Sequence, residues 1–356
     1  MKFIIDKNLL NNVINSVNSY IDKKDISSIT SHIFIEAKDD IINIKATDHE
    51  MGLAYKIKTQ NIQIQGNATA NGKTILDVIK GLKDDDIIIE TMNNFLYIKQ
   101  KTAKFKLPMY NSTDFPDFPS IENKKSFDIN FQILSRSLKK VLPTIDISNP
   151  NHALNACLIE IKPQQINFVG TDGKRLGLYI LNKQTNNTQS SILMPKRAIN
   201  EIQKIFFEEA EIYYDENIFI ARNENFEFYT KLINKKFPNY QKVIPSEFET
   251  TIEIQRDKIL EGIKTINMIC YKMQITIKPN LILFESISED NSEAKTEILV
   301  DTQMNKDEII LKVTNKFLID FLNSIENNIF KLNYNNKDVA FMLSSDELIN
   351  IIMPTI

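Results

Sequence analysis

Apolar positions follow one pattern that is written three times along the chain. In the first copy Phe3 and Ile5 alternate with polar residues, and Leu9, Leu10, Ile14 and Val17 follow at spacings of three and four. Alternation suits a strand with one buried face and the wider spacing suits an amphipathic helix, so a short strand running into a helix is predicted. Adding 124 to each number reaches Phe127, Ile129, Ile133, Leu134, Leu138 and Val141, all apolar. A further 125 reaches Ile252, Ile254, Ile259, Ile263 and Ile266, with Lys258 standing where the Ile133 position falls.

A second helix repeats in the same way. Ile75, Leu76, Ile79 and Leu82 within Lys73–Leu82 correspond to Ala198, Ile199, Ile202 and Ile205, and Val313–Ile325 supplies Phe317, Leu318, Phe321 and Leu322. Between the helices lie strand hairpins: Ile42-Asn43-Ile44-Lys45-Ala46-Thr47-Asp48 returns as Ile166-Asn167-Phe168-Val169-Gly170-Thr171-Asp172. Further strand pairs, Asp86–Glu90 with Phe95–Gln100 and Glu211–Tyr214 with Ile218–Arg222, are bounded by the turn residues Asn93-Asn94 and Asp215-Glu216. Proline clusters at Phe115-Pro116-Asp117-Phe118-Pro119 and from Pro238 to Pro245 punctuate the copies, because proline neither donates to a ladder nor continues a helix. The expected fold is therefore α+β: three repeated domains, 1–122, 123–249 and 250–356, each with two helices on antiparallel sheets.

Composition narrows the function classes. The chain of 356 residues is 42% hydrophobic and 25% charged, an ordinary balance for a water-soluble protein, and it has no apolar run long enough to span a bilayer. Charges at Asp6 and Lys7 interrupt the amino terminus where a signal peptide needs an apolar run, so a cytoplasmic location is expected. Cys157 and Cys270 sit among apolar neighbours as reduced core thiols, and His32, His49 and His152 lie too far apart for a zinc or nucleophile spacing. No metal or cofactor is expected.

The formal charge of −3 argues against a nucleic-acid partner until its placement is considered. The six helical windows, 6–24, 72–83, 131–143, 195–207, 255–267 and 314–325, hold 16 Lys and Arg against 7 Asp and Glu, a net +9 that leaves −12 for the rest. Basic helices on one face neutralise phosphates without reading bases. The same residues also serve as the solvated face of an ordinary amphipathic helix, and charge alone does not separate the two readings.

Four segments occur together in one order: Ala46-Thr47-Asp48-His49-Glu50-Met51, Gly170-Thr171-Asp172-Gly173-Lys174-Arg175-Leu176, Lys236-Phe237-Pro238-Asn239-Tyr240-Gln241-Lys242-Val243-Ile244-Pro245, and Ile351-Ile352-Met353-Pro354-Thr355-Ile356. Across essentially the whole chain this set resembles the bacterial sliding clamp, the beta subunit of DNA polymerase III. The resemblance implies three similar domains per subunit and two subunits closing head to tail into a homodimeric ring around duplex DNA, bound without regard to sequence. It implies a non-catalytic processivity factor, opened by a separate ATP-driven loader, since no Gly-rich phosphate loop is present. It also implies a pocket between the second and third domains for a short linear peptide of polymerase, clamp loader and repair proteins. The residues matching that pocket are Leu154, Thr171, Gly173, Lys174, Arg175, Leu176, Pro238, Lys242, Val243, Phe317, Ile351, Met353 and Pro354, with Arg175 and Lys242 placed to pair with polar peptide groups.

The dimer contact carries over to Phe105, Leu107, Met268 and Ile269, residues that read equally as ordinary core. Lys24 matches a DNA-contacting position, and Lys196 and Arg197 open the second helix of the middle domain where basic residues approach DNA. Charge placement adds Lys73, Arg136, Lys139 and Lys140. The family commonly ends Met-Pro-Met-Arg-Leu, so the Met353-Pro354-Thr355-Ile356 terminus implies a changed pocket rim. Taken without the resemblance, Asp172-Gly173 reads as a turn and Met353-Pro354 as a frayed tail. Two rival functions stand beside it: metal-dependent phosphoryl chemistry on Asp48, Asp172 and Asp320, and a monomeric or trimeric protein-interaction scaffold that never touches DNA.

Overall fold

A computed structural model describes residues 1–25, 27–185, 189–205, 209–287 and 292–355. Its helices fall where the repeats place them: α1 (Lys7–Val17), α2 (Gly72–Gly81), α3 (Phe131–Val141), α4 (Lys196–Ile205), α5 (Arg256–Ile266) and α6 (Asn315–Ser324). The last is shorter than the pattern suggests because Val313 completes the strand Ile309–Thr314 before the chain turns. Phe206 and Phe207, which close the fourth charge window, lie outside the described residues, as does Ile356.

The first two helices are entered through side-chain caps, whereas α5 and α6 follow Gln255 and Thr314 without a side-chain cap bond. Asp6 ends the strand Lys2–Asp6, and its carboxylate accepts the Leu9 N–H at 2.8 Å, satisfying one of the orphan donors of α1. Asn71 does the same for α2 through the Thr74 N–H at 3.1 Å. Leu10, Val13, Ile14 and Val17 are the buried face of α1. Leu9 and its counterpart Ile133 are instead 43% and 42% exposed, so Lys258 occupies a repeat position that was never core.

By contact density the chain divides into two compact units, residues 1–131 with 209–231, and residues 132–208 with 232–356. The first holds a five-stranded sheet, ordered Ile62–Ile64, Lys2–Asp6, Asp86–Met92, Phe95–Gln100, Ala103–Pro108, and an eight-stranded sheet. In the latter the strand Phe226–Lys231 pairs with Met51–Lys58, so strands from the first two repeats share one ladder. The second unit repeats the device. Its eight-stranded sheet pairs Arg175–Asn182 with Leu348–Ile352, in register Arg175 to Ile352 and Tyr179 to Leu348. A four-stranded sheet, Lys295–Leu299, Leu281–Ser286, Lys272–Lys278, Ile309–Thr314, completes it. Every pairing in both units is antiparallel. Cys157 and Cys270 are buried and free, and burial pushes the Cys157 thiol well above its ordinary value.

Candidate functional site

The second unit carries a cavity at the seam between its joined strands, and local sequence builds the near wall. Thr171 ends one strand and Arg175 begins the next. Between them the Thr171 hydroxyl accepts the Gly173 N–H at 3.1 Å and donates to the Arg175 carbonyl at 2.6 Å, while Asp172 Oδ1 accepts the Lys174 and Arg175 N–H groups, each at 3.0 Å. Gly173 takes φ +86°, a conformation that disfavours a side chain. The first repeat makes the same turn with Thr47, Asp48 and His49, the last at φ +69°. Asp48 and Asp172 are thus backbone caps, and among the described residues no cluster of three metal-ligating side chains exists.

The cavity encloses about 240 Å³. Leu154, Thr171, Gly173, Lys174, Arg175, Leu176, Pro238, Val243, Ile351 and Met353 line it, ten of the thirteen residues expected from the sequence, joined by Phe237, Asn239, Tyr240 and Ala340. Beneath the walls Ala153, Leu158, Val169, Leu178 and Leu193 form a continuous buried cluster, so the apolar lining rests on a packed floor. The far wall is pinned by the Met353 N–H, which donates to the Lys174 carbonyl at 3.0 Å, and Met353 itself remains 49% exposed at the rim. Tyr240 is fixed from behind: its hydroxyl donates to Glu160 at 2.8 Å and accepts from Asn167 at 3.0 Å. Burial pushes Glu160 up, but hydrogen bonds from Lys162, Tyr240 and Asn167 outweigh it and hold the carboxyl below its ordinary range. Burial and the Glu160 bond together raise the Tyr240 phenol, keeping it a neutral donor.

Three expected residues lie off the lining. Lys242 is exposed on the short turn Tyr240–Val243, and Pro354 follows Met353 outward, partly exposed. Phe317 on α6 packs its ring under Arg175, whose guanidinium carbon lies 4.4 Å from the ring centre. That guanidinium does not face the cavity as a free group. Nε meets Asp172 at 3.0 Å, one terminal nitrogen meets Asp320 at 2.8 Å, and the other donates to the Pro143 carbonyl at 2.6 Å. The expectation that Arg175 pairs with polar peptide groups meets a side chain whose donors are directed into the fold. Asp320 also meets Lys316 at 3.0 Å, which makes it an ion-pair partner.

Phe237, Asn239 and Tyr240 belong to the Lys236–Pro245 motif but not to the thirteen residues expected in the walls. Ala340, just ahead of the strand Phe341–Ser345, gave no signal at all.

The basic residues separate into two groups. Lys24, Lys73, Arg136, Lys139 and Arg197 are exposed. Lys140 is turned toward α6, donating to the Ser324 carbonyl and pairing with Glu326, both at 2.8 Å. Lys196 donates to the Ile145 carbonyl, and burial, with Arg175 and Lys316 nearby, lowers its pKa. Of the expected interface residues, Phe105 lies on the edge strand Ala103–Pro108 at 36% exposure, while Leu107 on the same strand is buried. Met268 and Ile269, 79% and 54% exposed, follow α5 in the second unit.

Comparison with known proteins gives a consistent result. Residues 1–119 match the family described as DNA polymerase III beta subunit, N-terminal domain, and residues 128–239 match its central domain. The beta sliding clamp of Helicobacter pylori is 36% identical over 350 residues, covering 96% of this chain and 94% of that one. The crystal structure of the Helicobacter pylori beta clamp bound to a DNA ligase peptide superposes with a TM-score of 0.95 at 34% identity, covering all of both chains. At 20% identity the DNA polymerase III subunit beta of Pseudomonas aeruginosa shares the fold, with a TM-score of 0.92 and full coverage of both chains.

Proposed function

The chain belongs to the beta sliding clamp family, a non-catalytic DNA sliding clamp of replication, and from that premise we propose that its seam cavity receives the linear peptide by which partner proteins are held on DNA. One observation carries this reading: an apolar cavity of about 240 Å³, built from two repeats, with adaptable Met353 at its rim and cations Lys174 and Lys242 beside it. The Helicobacter pylori clamp, alike over its full length, is bound to a peptide of DNA ligase. Polymerase catalytic subunit, clamp loader and repair proteins are the partners this reading assigns, each through such a peptide.

The assembly follows from the same premise. Domains 1–122, 123–249 and 250–356 form half of a ring, and two copies close head to tail through Phe105 of one copy against Met268 and Ile269 of the other, with the expected Leu107 corrected to a buried residue that backs the Phe105 strand. Closure covers the exposed strand edge that Ala103–Pro108 presents. The enclosed duplex is met by Lys24, Lys73, Arg136, Lys139 and Arg197, with Lys140 and Lys196 contributing positive potential from behind rather than direct contact. Phosphate contacts of this kind are independent of sequence and permit sliding. A peptide-tethered polymerase is kept at high effective concentration near the primer end, so a modest pocket confers processivity. The site of action is the cytoplasm; among the described residues no helix is long and apolar enough to cross a membrane.

Light-scattering mass at micromolar concentration tests the ring. About twice the chain mass of 41.2 kDa is expected, and the double variant Met268→Asp/Ile269→Asp should reduce it to one chain. A stable monomer of the unaltered protein would leave the open scaffold as the better reading.

A further inference from the structure

The chain of contacts behind the cavity leads to a residue that no wall contains. Arg175 contributes to the lining, yet its guanidinium is 5% exposed as a residue and held from three sides. Asp172 holds it from the turn that also positions Thr171, Gly173 and Lys174; Pro143 holds it from the end of the segment after α3; Asp320 and the Phe317 ring hold it from α6. The Lys174 carbonyl in turn anchors Met353. The turn is closed by its own hydrogen bonds and the rim by the strand ladder that seats Ile351 and Ile352 beside Leu176 and Arg175; what Arg175 adds is the side-chain tie from this wall to α6, made by the ion pair with Asp320 and the Phe317 ring.

We propose that Asp320 is a positioning residue for partner binding: through Arg175 it fixes the Thr171–Arg175 turn and the Met353 rim in the register a peptide requires, without touching the peptide. The inference rests on the peptide reading of the cavity. Its physical basis is the cost of breaking a buried ion pair: without Asp320 the guanidinium keeps Asp172 and the Pro143 carbonyl but loses its charged partner on α6, while replacement of both Arg175 and Asp320 by apolar groups restores packing but not that tie. A site held loosely by its supporting contacts loses affinity even when every contacting residue is present. Lys316, exposed on α6, pairs with the other oxygen of the same carboxylate.

The test is a fluorescence-anisotropy titration of the full-length protein with a fluorescein-labelled DNA ligase peptide, with circular-dichroism melting of each variant alongside. Asp320→Asn should weaken binding by about fivefold or more, Asp320→Glu should recover most of that loss, and Lys316→Gln should stay within about twofold of the unaltered protein. Because Arg175 is itself a lining residue, the paired substitution Arg175→Met/Asp320→Leu is compared with Arg175→Met alone: both should melt within a few degrees of the parent, and if Asp320 acts through Arg175 the pair should bind within about twofold of Arg175→Met. Val243→Glu tests the cavity itself. If Val243→Glu abolishes binding while Asp320→Asn binds like the parent, or the paired variant binds far more weakly than Arg175→Met, the positioning role is wrong and the peptide site stands. If Val243→Glu binds like the parent, the peptide site itself is wrong.

Discussion

At Gly173 the requirement for glycine is conformational, since φ is +86° and a Cβ there would meet open space. Gly173→Val should therefore destabilise the second unit by roughly 1–2 kcal/mol in urea denaturation, the cost of a β-branched residue in the left-handed region, and Gly173→Asn should recover part of it. His32 yields a pH dependence. It is 4% exposed and stacked on Tyr110 at 4.2 Å, and burial lowers its pKa to about 4 from 6.5. The folded chain then refuses a proton that the unfolded chain accepts, so stability is undiminished above pH 6.5 and falls as the pH drops from there toward about 4. Denaturation midpoints across that window should show this slope, and His32→Phe should flatten it; an unchanged slope would remove His32 as the cause. The turn at Asp172-Gly173 was legible because its hydrogen bonds are local, and the matching turn at residues 47–51 emerges only from the structure. The direction of Arg175, Lys140 and Lys196 was not legible, because each is decided by a partner distant in sequence, Asp320, Ser324 and Ile145.

Helices and strands were legible for a different reason: burying one face imposes a spacing, and the spacing recurs. Phe3, Phe127 and Ile252 are all buried, as are Ile14, Leu138 and Ile263. Lys258 looked like a flaw in the repeat only until its counterparts proved exposed. What the spacing does not carry is which strands pair across repeats, because Phe226–Lys231 finds Met51–Lys58, and Arg175–Asn182 finds Leu348–Ile352, over long separations. Helix seating is a further constraint visible only in the packed structure. A Cβ on Gly262 would lie 2.2 Å from the Phe284 ring, so α5 presses its backbone directly on the sheet. Gly262→Ala should lower stability by about 1–3 kcal/mol, the range of an overpacked core, and Phe284→Leu in the same chain should relieve part of that loss. A stabilised Gly262→Ala, read by thermal melting, would show that helix propensity outweighs the clash.

For the whole molecule, bulk charge misleads and placement informs. A net −3 conceals helical windows at +9, and three repeats presenting such helices suit a surface that meets phosphate without reading bases. The family and its non-catalytic role were legible in the Thr-Asp-Gly-Lys-Arg-Leu and Phe-Pro-Asn-Tyr-Gln-Lys-Val segments set within the repeat, whereas the Ala340 wall and the Asp320 grip lay beyond any motif. Topological retention on DNA is the central consequence. Protein loaded by an ATP-driven clamp loader onto a nicked circular plasmid, then gel-filtered at moderate salt, should elute with the DNA and should leave it once a restriction enzyme cuts the circle. Equal retention on circular and linear plasmid would contradict encirclement and indicate ordinary electrostatic binding.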